Sequence, residues 1–271
     1  MNKEDLVSVI MPTYNAGKYL ADSINSILNQ SYKNLELLIT DDASTDPTTL
    51  QLLQEFASKD NRVDILYLKE NHGAGYARNQ SIERAKGRYI AFCDSDDRWT
   101  TDKLEKQIAF MNKKKCALSC ASYIIFDGET QNEIGFCTAP KKITYGMMKR
   151  DNKVGCLTAI YDVQMLGRKF FMPTIRKRQD WALFLQIIRE CKVCYAYPEK
   201  PLAYYCMRRN SISSNKMSLM KYNIAVYKEI LGFHPIKANL YFFTLFLPTY
   251  GAKIMKRKFD SYTFTHKKIR L

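Results

Sequence analysis

The alternation of strand-like and helix-like segments over the first hundred residues constrains the fold of this chain most. Short apolar runs predict four buried strands, at Val7 to Pro12, Leu35 to Thr40, Val63 to Leu68 and Tyr89 to Cys93. Apolar residues at helical spacing predict helices between them, and Ser44-Thr45-Asp46-Pro47 can cap one helix start. Repeated strand–helix units predict an α/β fold, with a mostly parallel sheet flanked by helices.

Polar and acidic clusters follow three of these predicted strands. They are Thr13-Tyr14-Asn15, Asp41-Asp42 and Asp94-Ser95-Asp96-Asp97. In sheets of this kind, ligands bind beyond the carboxyl ends of the strands. The sequence therefore predicts a single site at this edge of the sheet.

The second half of the chain is less regular. We predict a helix marked by Leu104, Ile108 and Met111, a strand from Ala117 to Phe126 and a helix from Trp181 to Arg189. Residues 127–156 mix glycine, charged and turn residues, so we expect loops and short strands there. We expect one domain over residues 1–215, with halves at about 1–100 and 101–215, and a basic, aromatic C-terminal extension over 216–271.

That extension carries most of the positive charge. From Pro201 onward there are thirteen Lys and Arg against two acidic residues, which is +11 of the net +15. Leu240 to Tyr250 is apolar and aromatic, but it is too short to span a membrane. Pro248 within it and Gly251 directly after it interrupt it. It is either an interfacial segment on an anionic membrane surface or a helix packed on the body of the protein. No nucleic-acid motif accompanies the charge, so we expect no nucleic-acid partner.

The apolar runs, the N-terminus and the cysteines together suggest a protein of the cytosol. No run approaches the roughly 20 apolar residues of a membrane-spanning helix, and the N-terminus lacks an export signal. The eight cysteines form no disulfide framework. Cys191 and Cys194 make one CxxC without a second pair or a nearby histidine, and we interpret them as core residues and not as a zinc site.

The cluster after the fourth strand suits a metal ion. Hard divalent cations prefer carboxylate and phosphate oxygens. Asp94 and Asp96, one residue apart at a strand end, can both reach into one crevice. This pattern alone is weak, because acidic turns are common, but its place between YIAFC and Arg98-Trp99 makes it more specific.

Four segments, in this order and spacing, carry a family resemblance: VSVIMPTYNAGKYL, ELLITDDASTD, ENHGAGYARNQSIERAKGRYIAFCDSDDRW and RQDW. Together they resemble the family 2 glycosyltransferases, a large bacterial group with the GT-A nucleotide-sugar fold. The resemblance covers roughly residues 6–214. It implies a GT-A (Rossmann-like) sheet, here followed by a helical, basic C-terminal extension.

The resemblance also implies roles for single residues. Nucleotide-sugar binding falls to Pro12, Thr13, Tyr14, Asp42, Arg78, Asp94 and Ser95. Asp96 would be the direct ligand of Mn²⁺ or Mg²⁺, and Asp180 in RQDW would be the catalytic base. Alternatives stay open: Tyr14 could merely pack under the site, Asp41 could cap the strand end, His72 could be a turn residue, and Arg178 could pair with Asp180.

One departure concerns a late YRxHxxSxS motif, whose Arg and His reach the diphosphate in many relatives. The matching stretch runs from Tyr205 to Ser213, with Cys206 in place of the arginine and Arg208 in place of the histidine. We expect Arg208 to supply the cation.

The activity that the resemblance implies is inverting, metal-dependent hexosyl transfer. A UDP-sugar, with glucose or galactose favoured, would be the donor, and a sugar on a polyprenyl diphosphate lipid would be the acceptor. The product would be a β-linkage in a bacterial surface polysaccharide (O-antigen or capsule), made on the inner face of the cytoplasmic membrane.

Two other functional classes remain open. A sugar-nucleotidyltransferase should show a glycine-rich, basic loop after the first strand, which Thr13 to Gly17 lacks. A non-catalytic nucleotide- or membrane-binding module would not need Asp180 beside Asp94 and Asp96.

Overall fold

The computed structural model describes residues 5–208 and 216–268, without the side chains of 216–219 and 266–268. The last part of the late motif, residues 209–213, therefore lies outside the described residues. The first hundred residues alternate as predicted, in the order β1 (Val7–Thr13), α1 (Leu20–Leu28), β2 (Leu35–Asp41), α2 (Pro47–Lys59), β3 (Val63–Tyr67), α3 (Ala74–Arg84), β4 (Tyr89–Phe92) and β5 (Arg98–Trp99).

Shorter elements follow in the second half. They are α4 (Lys103–Lys114), β6 (Leu118–Ala121), β7 (Tyr123–Asp127), β8 (Glu133–Cys137), β9 (Lys142–Thr144), α5 (Tyr145–Arg150), β10 (Ile160–Asp162), α6 (Val163–Leu166), α7 (Gln179–Cys191), β11 (Val193–Tyr197) and β12 (Ala203–Met207). The C-terminal extension is helical, as expected: α8 (Lys216–Ala225), a π-helical turn at Val226–Ile230, α9 (Pro235–Tyr241), a second π-helical turn at Phe242–Phe246, and α10 (Leu247–Lys268).

The large sheet is parallel in its first half and mixed beyond it. Its strand order is β3-β2-β1-β4-β10-β6-β11-β9, and the neighbours from β3 to β4 are all parallel. β10 runs antiparallel to both β4 and β6. The parallel half directs the carboxyl ends of β1, β2 and β4 to one edge, which is where ligands bind in such sheets.

Alternation of side chains along the strands builds a core on each face of this sheet. In β1, Ile10 belongs to one buried cluster, while Val9 and Met11 belong to the other. Helix α2 begins at the predicted cap, because the Asp46 carboxylate accepts the Thr49 N–H at 2.8 Å and Pro47 stands at the first helical position.

The prediction of a single strand from Ala117 to Phe126 is wrong. The structure divides it into β6, in the large sheet, and β7, in a small sheet of order β5-β12-β7-β8. The break is at Ser122, whose carbonyl accepts the Leu202 N–H at 3.1 Å and whose hydroxyl accepts the Ala139 N–H at 3.0 Å. The Ser122 carbonyl thus bonds to the residue before β12, and the chain continues as β7 beside β12 in the small sheet.

The C-terminal extension packs on the body of the protein through one side only. Tyr227, Phe242 and Phe246 are buried in the same cluster as Trp181 and Phe184. The predicted interruption at Pro248 does not end the helix, because α10 follows the π-helical turn Phe242–Phe246 without a break and Pro248 is its second residue. Among the described helices, none combines the length and apolar character needed to cross a bilayer.

The predicted cysteine pair lies at the join of α7 and β11. Cys194 is buried in the core and Cys191 is partly buried at the helix end. Cys194 is a member of a buried cluster and Cys191 packs against it, which agrees with the interpretation of both as core residues.

Candidate active site

Asp42, one residue after β2, fixes the turn that leads into α3. Its buried carboxylate accepts the backbone N–H groups of His72 at 2.8 Å and of Gly73 at 2.7 Å. Gly73 has a φ of 89°, which favours glycine. His72 is thus a turn residue, with its ring 4.6 Å from that of Tyr76. Asp42 therefore ties the end of β2 to the N-terminus of α3.

Asp41, the last residue of β2, forms hydrogen bonds with the loop that follows the strand. Its carboxylate accepts the Ser44 N–H at 3.0 Å and the Ser44 hydroxyl at 2.5 Å. The following loop is held to β1 by Asn15, whose side-chain carbonyl accepts the N–H groups of Thr45 and Asp46, both at 2.9 Å. The interpretation of Asp41 as a cap is confirmed.

The end of β1 presents unsatisfied polar groups and an exposed ring. Pro12 and Thr13 are buried in the strand, and among the described residues the Thr13 hydroxyl has no hydrogen-bond partner. A buried hydroxyl without a partner costs free energy unless a ligand or water satisfies it. Tyr14 is 51% exposed, so it does not pack under the site.

Arg78, on α3, is buried beside Asp94. The two side chains form an ion pair, and the guanidinium Nε has no partner among the described residues. Burial opposes the charge of Arg78, but the carboxylate of Asp94 outweighs it and raises the pKa of Arg78 above its ordinary value. The site therefore holds a permanent, largely desolvated cation at the end of β4.

Asp96 pairs with Arg208, at the end of β12. The distance from Arg208 Nη2 to Asp96 Oδ2 is 2.5 Å, and the guanidinium lies 5.3 Å from the centre of the Tyr19 ring. Gly128 leaves room for this end of β12, because a Cβ there would stand 2.9 Å from Cys206 Sγ and 3.3 Å from Arg208 Cγ. The backbone N–H of Cys206 donates to Asp97 at 2.9 Å. The late strand and the acidic turn thus form one unit.

The acidic turn carries excess negative charge. Burial, and then the charge of Asp94, raise the pKa of Asp96, and burial with Asp96 beside it raises that of Asp97 further. Ser95, between Asp94 and Asp96, is partly buried. Two adjacent carboxylates on a strand end fit a hard divalent cation, which fills its remaining positions with water or phosphate oxygens.

Asp180 lies in the first turn of α7, next to the N-terminus of α3. The two helices meet closely, because a Cβ on Gly75 would stand 2.3 Å from Gln179 Nε2. The charge of Asp180 also contributes to the raised pKa of Arg78, after Asp94. Asn152 Nδ2 donates to Asp180 Oδ2 at 2.8 Å. Asp180 therefore shares the cleft of Arg78 and Asp94.

The alternative in which Arg178 pairs with Asp180 is not what the structure shows. Arg178 adopts a left-handed conformation with a φ of 69°, and its Nε donates to Asn223 Oδ1 at 2.8 Å. No ion pair joins the two residues in the described part of the chain.

The predicted residues thus lie together, but two residues that contact them were not predicted from the sequence. Asp42, Arg78, Asp94, Asp96 and Asp180 are linked through α3, the acidic turn and α7. Asn152 and Tyr19 carry no local pattern that marks them. They reach the site from a loop and from a short 3₁₀ turn, so only a tertiary contact identifies them.

Comparison with known proteins finds one family along most of this chain. The model of glycosyl transferase family 2 matches residues 8–171. The putative teichuronic acid biosynthesis glycosyltransferase TuaG of Bacillus subtilis is 43% identical over 238 residues, which are 88% of this chain and 93% of TuaG. The Escherichia coli UDP-Glc:alpha-D-GlcNAc-diphosphoundecaprenol beta-1,3-glucosyltransferase WfgD is 38% identical over 216 residues, 80% of this chain and 83% of WfgD.

Solved structures share the fold at low identity. Staphylococcus aureus TarS 1–349 in complex with UDP-GlcNAc superposes with a TM-score of 0.66 at 21% identity, over 87% of this chain and 70% of that one. The mannosyltransferase PcManGT from Pyrobaculum calidifontis, in complex with GDP-Man and Mn²⁺, has a TM-score of 0.63 at 15% identity, over 99% and 81%. At these identities the likeness concerns the fold.

Proposed function

The chain belongs to glycosyl transferase family 2, and from that premise we propose that it is an inverting, metal-dependent hexosyltransferase. Its donor is a UDP-sugar, with glucose or galactose favoured, and its acceptor is a hydroxyl of a sugar linked to a lipid diphosphate. The observation that carries the proposal is the placement of a carboxylate, Asp180, beside the buried Arg78–Asp94 pair. The relative WfgD, named for this donor and acceptor class, supports the choice of substrates.

The donor lies along the carboxyl ends of β1, β2 and β4. We assign the base and ribose to Pro12, Thr13, Tyr14 and Asp42, since the Thr13 hydroxyl lacks a partner among the described residues and the Tyr14 ring is exposed. In this assignment residues 1–100 are the donor half of the domain and 101–215 the acceptor half.

The pyrophosphate lies against the cationic side of the site. We assign Arg78 to the pyrophosphate, since its guanidinium Nε has no partner among the described residues, and Asp94 and Ser95 to the ribose. We also assign Arg208 to the pyrophosphate; without donor it pairs with Asp96. Donor binding therefore exchanges that pair for contacts of Arg208 with phosphate, a bidentate acceptor of similar geometry.

Asp96, with Asp94 beside it, holds the divalent cation, Mn²⁺ or Mg²⁺. When bound there, the cation supplies electrostatic stabilisation of the negative charge that develops on the departing diphosphate. Burial, and then the charge of Asp94, raise the pKa of Asp96, and a cation bound between the two carboxylates would offset both effects.

Asp180 acts as the general base. Its carboxylate takes the proton of the acceptor hydroxyl while the oxygen attacks the anomeric carbon from the face opposite the leaving UDP. One displacement inverts the centre, so an α-linked donor gives a β-linked product. Such base catalysis contributes about 10²- to 10⁴-fold to the rate.

The C-terminal extension provides the contact with the membrane that bears the acceptor. Ile236, Leu240, Phe243 and Leu247 follow one another at helical spacing and form the apolar stripe. They are exposed, Ile236 by 74% and Leu240 by 61%. Exposed lysines and arginines accompany them, namely Lys237, Lys256, Arg257 and Lys258. Apolar side chains with basic neighbours fit the interface of an anionic bilayer, here the inner face of the cytoplasmic membrane.

The test combines binding and turnover. We expect one UDP-sugar to raise the melting temperature only with Mn²⁺ or Mg²⁺ present, and to release UDP when a lipid-diphosphate sugar is added. Asp180→Asn should keep the donor-dependent thermal shift and lose at least a hundredfold in turnover.

Two outcomes contradict the proposal. Wild-type turnover by Asp180→Asn excludes the base assignment. Production of a UDP-sugar with pyrophosphate from UTP and a sugar phosphate, without transfer to acceptor, identifies a nucleotidyltransferase instead.

A further inference from the structure

The last turn of α5 and the loop that follows it are bonded to α7 and to the C-terminal extension. Trp181, the neighbour of Asp180, donates its indole N–H to the Met148 carbonyl at 2.7 Å. The Tyr227 hydroxyl donates to the Lys149 carbonyl at 2.9 Å. Both rings are buried, with their centroids 5.7 Å apart. The last turn of α5, from which the loop leaves, is therefore held by the residue next to the proposed base and by the extension.

The next residues of the loop are held by Lys253 of α10. Its ammonium donates to the Asn152 carbonyl at 2.5 Å and lies 3.1 Å from Asp151 Oδ2. The Asp151 carboxylate is almost fully buried and also pairs with Lys153 at 3.0 Å. Buried carboxylates are costly without compensating cations and donors. Lys253 therefore stabilises both a buried charge and the backbone of Asn152.

The side chain of Asn152 has its orientation set at both ends. Its Oδ1 accepts the Val154 N–H at 3.1 Å, and its Nδ2 donates to Asp180 Oδ2 at 2.8 Å. The backbone donor fixes which end of the amide faces the loop, so the N–H end must face Asp180. Asp180 Oδ2 is thereby engaged, and among the contacts of the described residues Asp180 Oδ1 is the oxygen that remains to meet an acceptor hydroxyl.

We propose that Asn152 is a positioning residue for Asp180, and that Lys253 of the C-terminal helix acts through Asn152 to hold the base in its reactive orientation. This inference rests on the proposed function, because it takes Asp180 as the base. General-base catalysis requires a carboxylate within hydrogen-bond reach of the proton, and small misplacements are costly in rate. The C-terminal extension is then part of the catalytic apparatus.

The first experiment separates turnover from binding. Lys253→Met keeps the length of the side chain and removes its charge; we expect kcat to fall about tenfold while the KM for the UDP-sugar is unchanged. Asn152→Ala should lower kcat by about tenfold or more, also without a change in donor KM. Lys253→Arg should recover most of the loss, since a guanidinium can donate to the same carbonyl and carboxylate.

The matched control is Lys228→Met, an exposed lysine of the same extension. It should leave kcat, KM and melting temperature at wild-type values. All variants are assayed with a water-soluble acceptor, so that contact with a membrane does not affect the measured rates. The melting temperature of each variant is also recorded. If Lys253→Met does not fold, the decision falls to Lys253→Arg and Asn152→Ala.

A double-mutant cycle tests the order of the contacts. Because Lys253 acts through Asn152, the double variant Asn152→Ala with Lys253→Met should be no slower than Asn152→Ala alone. Losses that multiply would overturn the inference, as would a Lys253→Met variant that raises donor KM in step with a lower melting temperature.

Failure of the inference differs from failure of the proposed function. If Asp180→Asn is inactive while Lys253→Met and Asn152→Ala turn over at the wild-type rate, the base assignment stands and the positioning role is wrong. If Asp180→Asn is fully active, the proposed function itself is wrong.

Discussion

Lys103 is a fully buried lysine, and its protonation opposes folding. It opens α4, with its ammonium 4.2 Å from the centre of the Trp99 ring and 3.1 Å from Gln107 Oε1. Burial lowers the pKa of Lys103 from its ordinary 10.5 to about 7. The nearby thiol of Cys93 provides no counter-charge, because burial raises its pKa.

The sign of the pH dependence follows from these two pKa values. Above pH 10.5 Lys103 is neutral in both states, so its contribution vanishes. Between pH 10.5 and 7 the unfolded chain binds the proton and the folded protein does not, so the free energy of unfolding falls as the pH is lowered. At 1.36 kcal/mol per pH unit, the penalty is about 4 kcal/mol at pH 7.5 and about 1.5 kcal/mol at pH 9.5.

We therefore expect Lys103→Met to flatten the pH dependence. Between pH 7.5 and 9.5 the wild type should gain about 2.5 kcal/mol relative to the variant. At pH 7.5 the variant should gain less than the full penalty, because the Gln107 carbonyl loses its donor at a cost of about 1–3 kcal/mol.

Urea unfolding under reducing conditions at pH 7.5, 8.5 and 9.5 measures this difference. Titration of the cysteines and tyrosines cancels between the two proteins, since both contain them. Lys106→Met, an exposed lysine on the same helix, should follow the wild type at each pH. Parallel curves for the wild type and Lys103→Met would refute the reasoning.

Three further predictions concern the metal, the membrane and the backbone. Asp96→Asn should abolish the Mn²⁺-dependent thermal shift given by the UDP-sugar; an unchanged shift places the cation elsewhere. Phe243→Asp, in the apolar stripe, should reduce flotation with anionic vesicles several-fold, whereas Gln54→Asp on α2, which adds the same charge, should not. Gly87→Ala should destabilise the fold by about 1–3 kcal/mol in urea, because a Cβ there would stand 2.7 Å from the Leu6 carbonyl; an unchanged urea midpoint would contradict this.

The parallel half of the sheet was predictable from local patterns. Strand and helix periods differ, and each buried strand ends in polar residues, so the order of elements and the edge that holds the site follow from residues 7–97. The second half was not predictable in the same way. Ser122 divides one apolar run between two sheets, and its partners Ala139 and Leu202 are remote in sequence.

The amino-acid order by itself predicted the candidate site residues, through carboxylates after buried strands and through the family resemblance that singled out an arginine on α3 and an aspartate before Trp181. Only the tertiary structure decided how they are paired. Arg208 pairs with Asp96. Asn152 bonds to Asp180, and Lys253, from a separate element, bonds to the backbone of Asn152. Such pairings depend on distances between remote segments, which packing sets and which no spacing along the chain encodes.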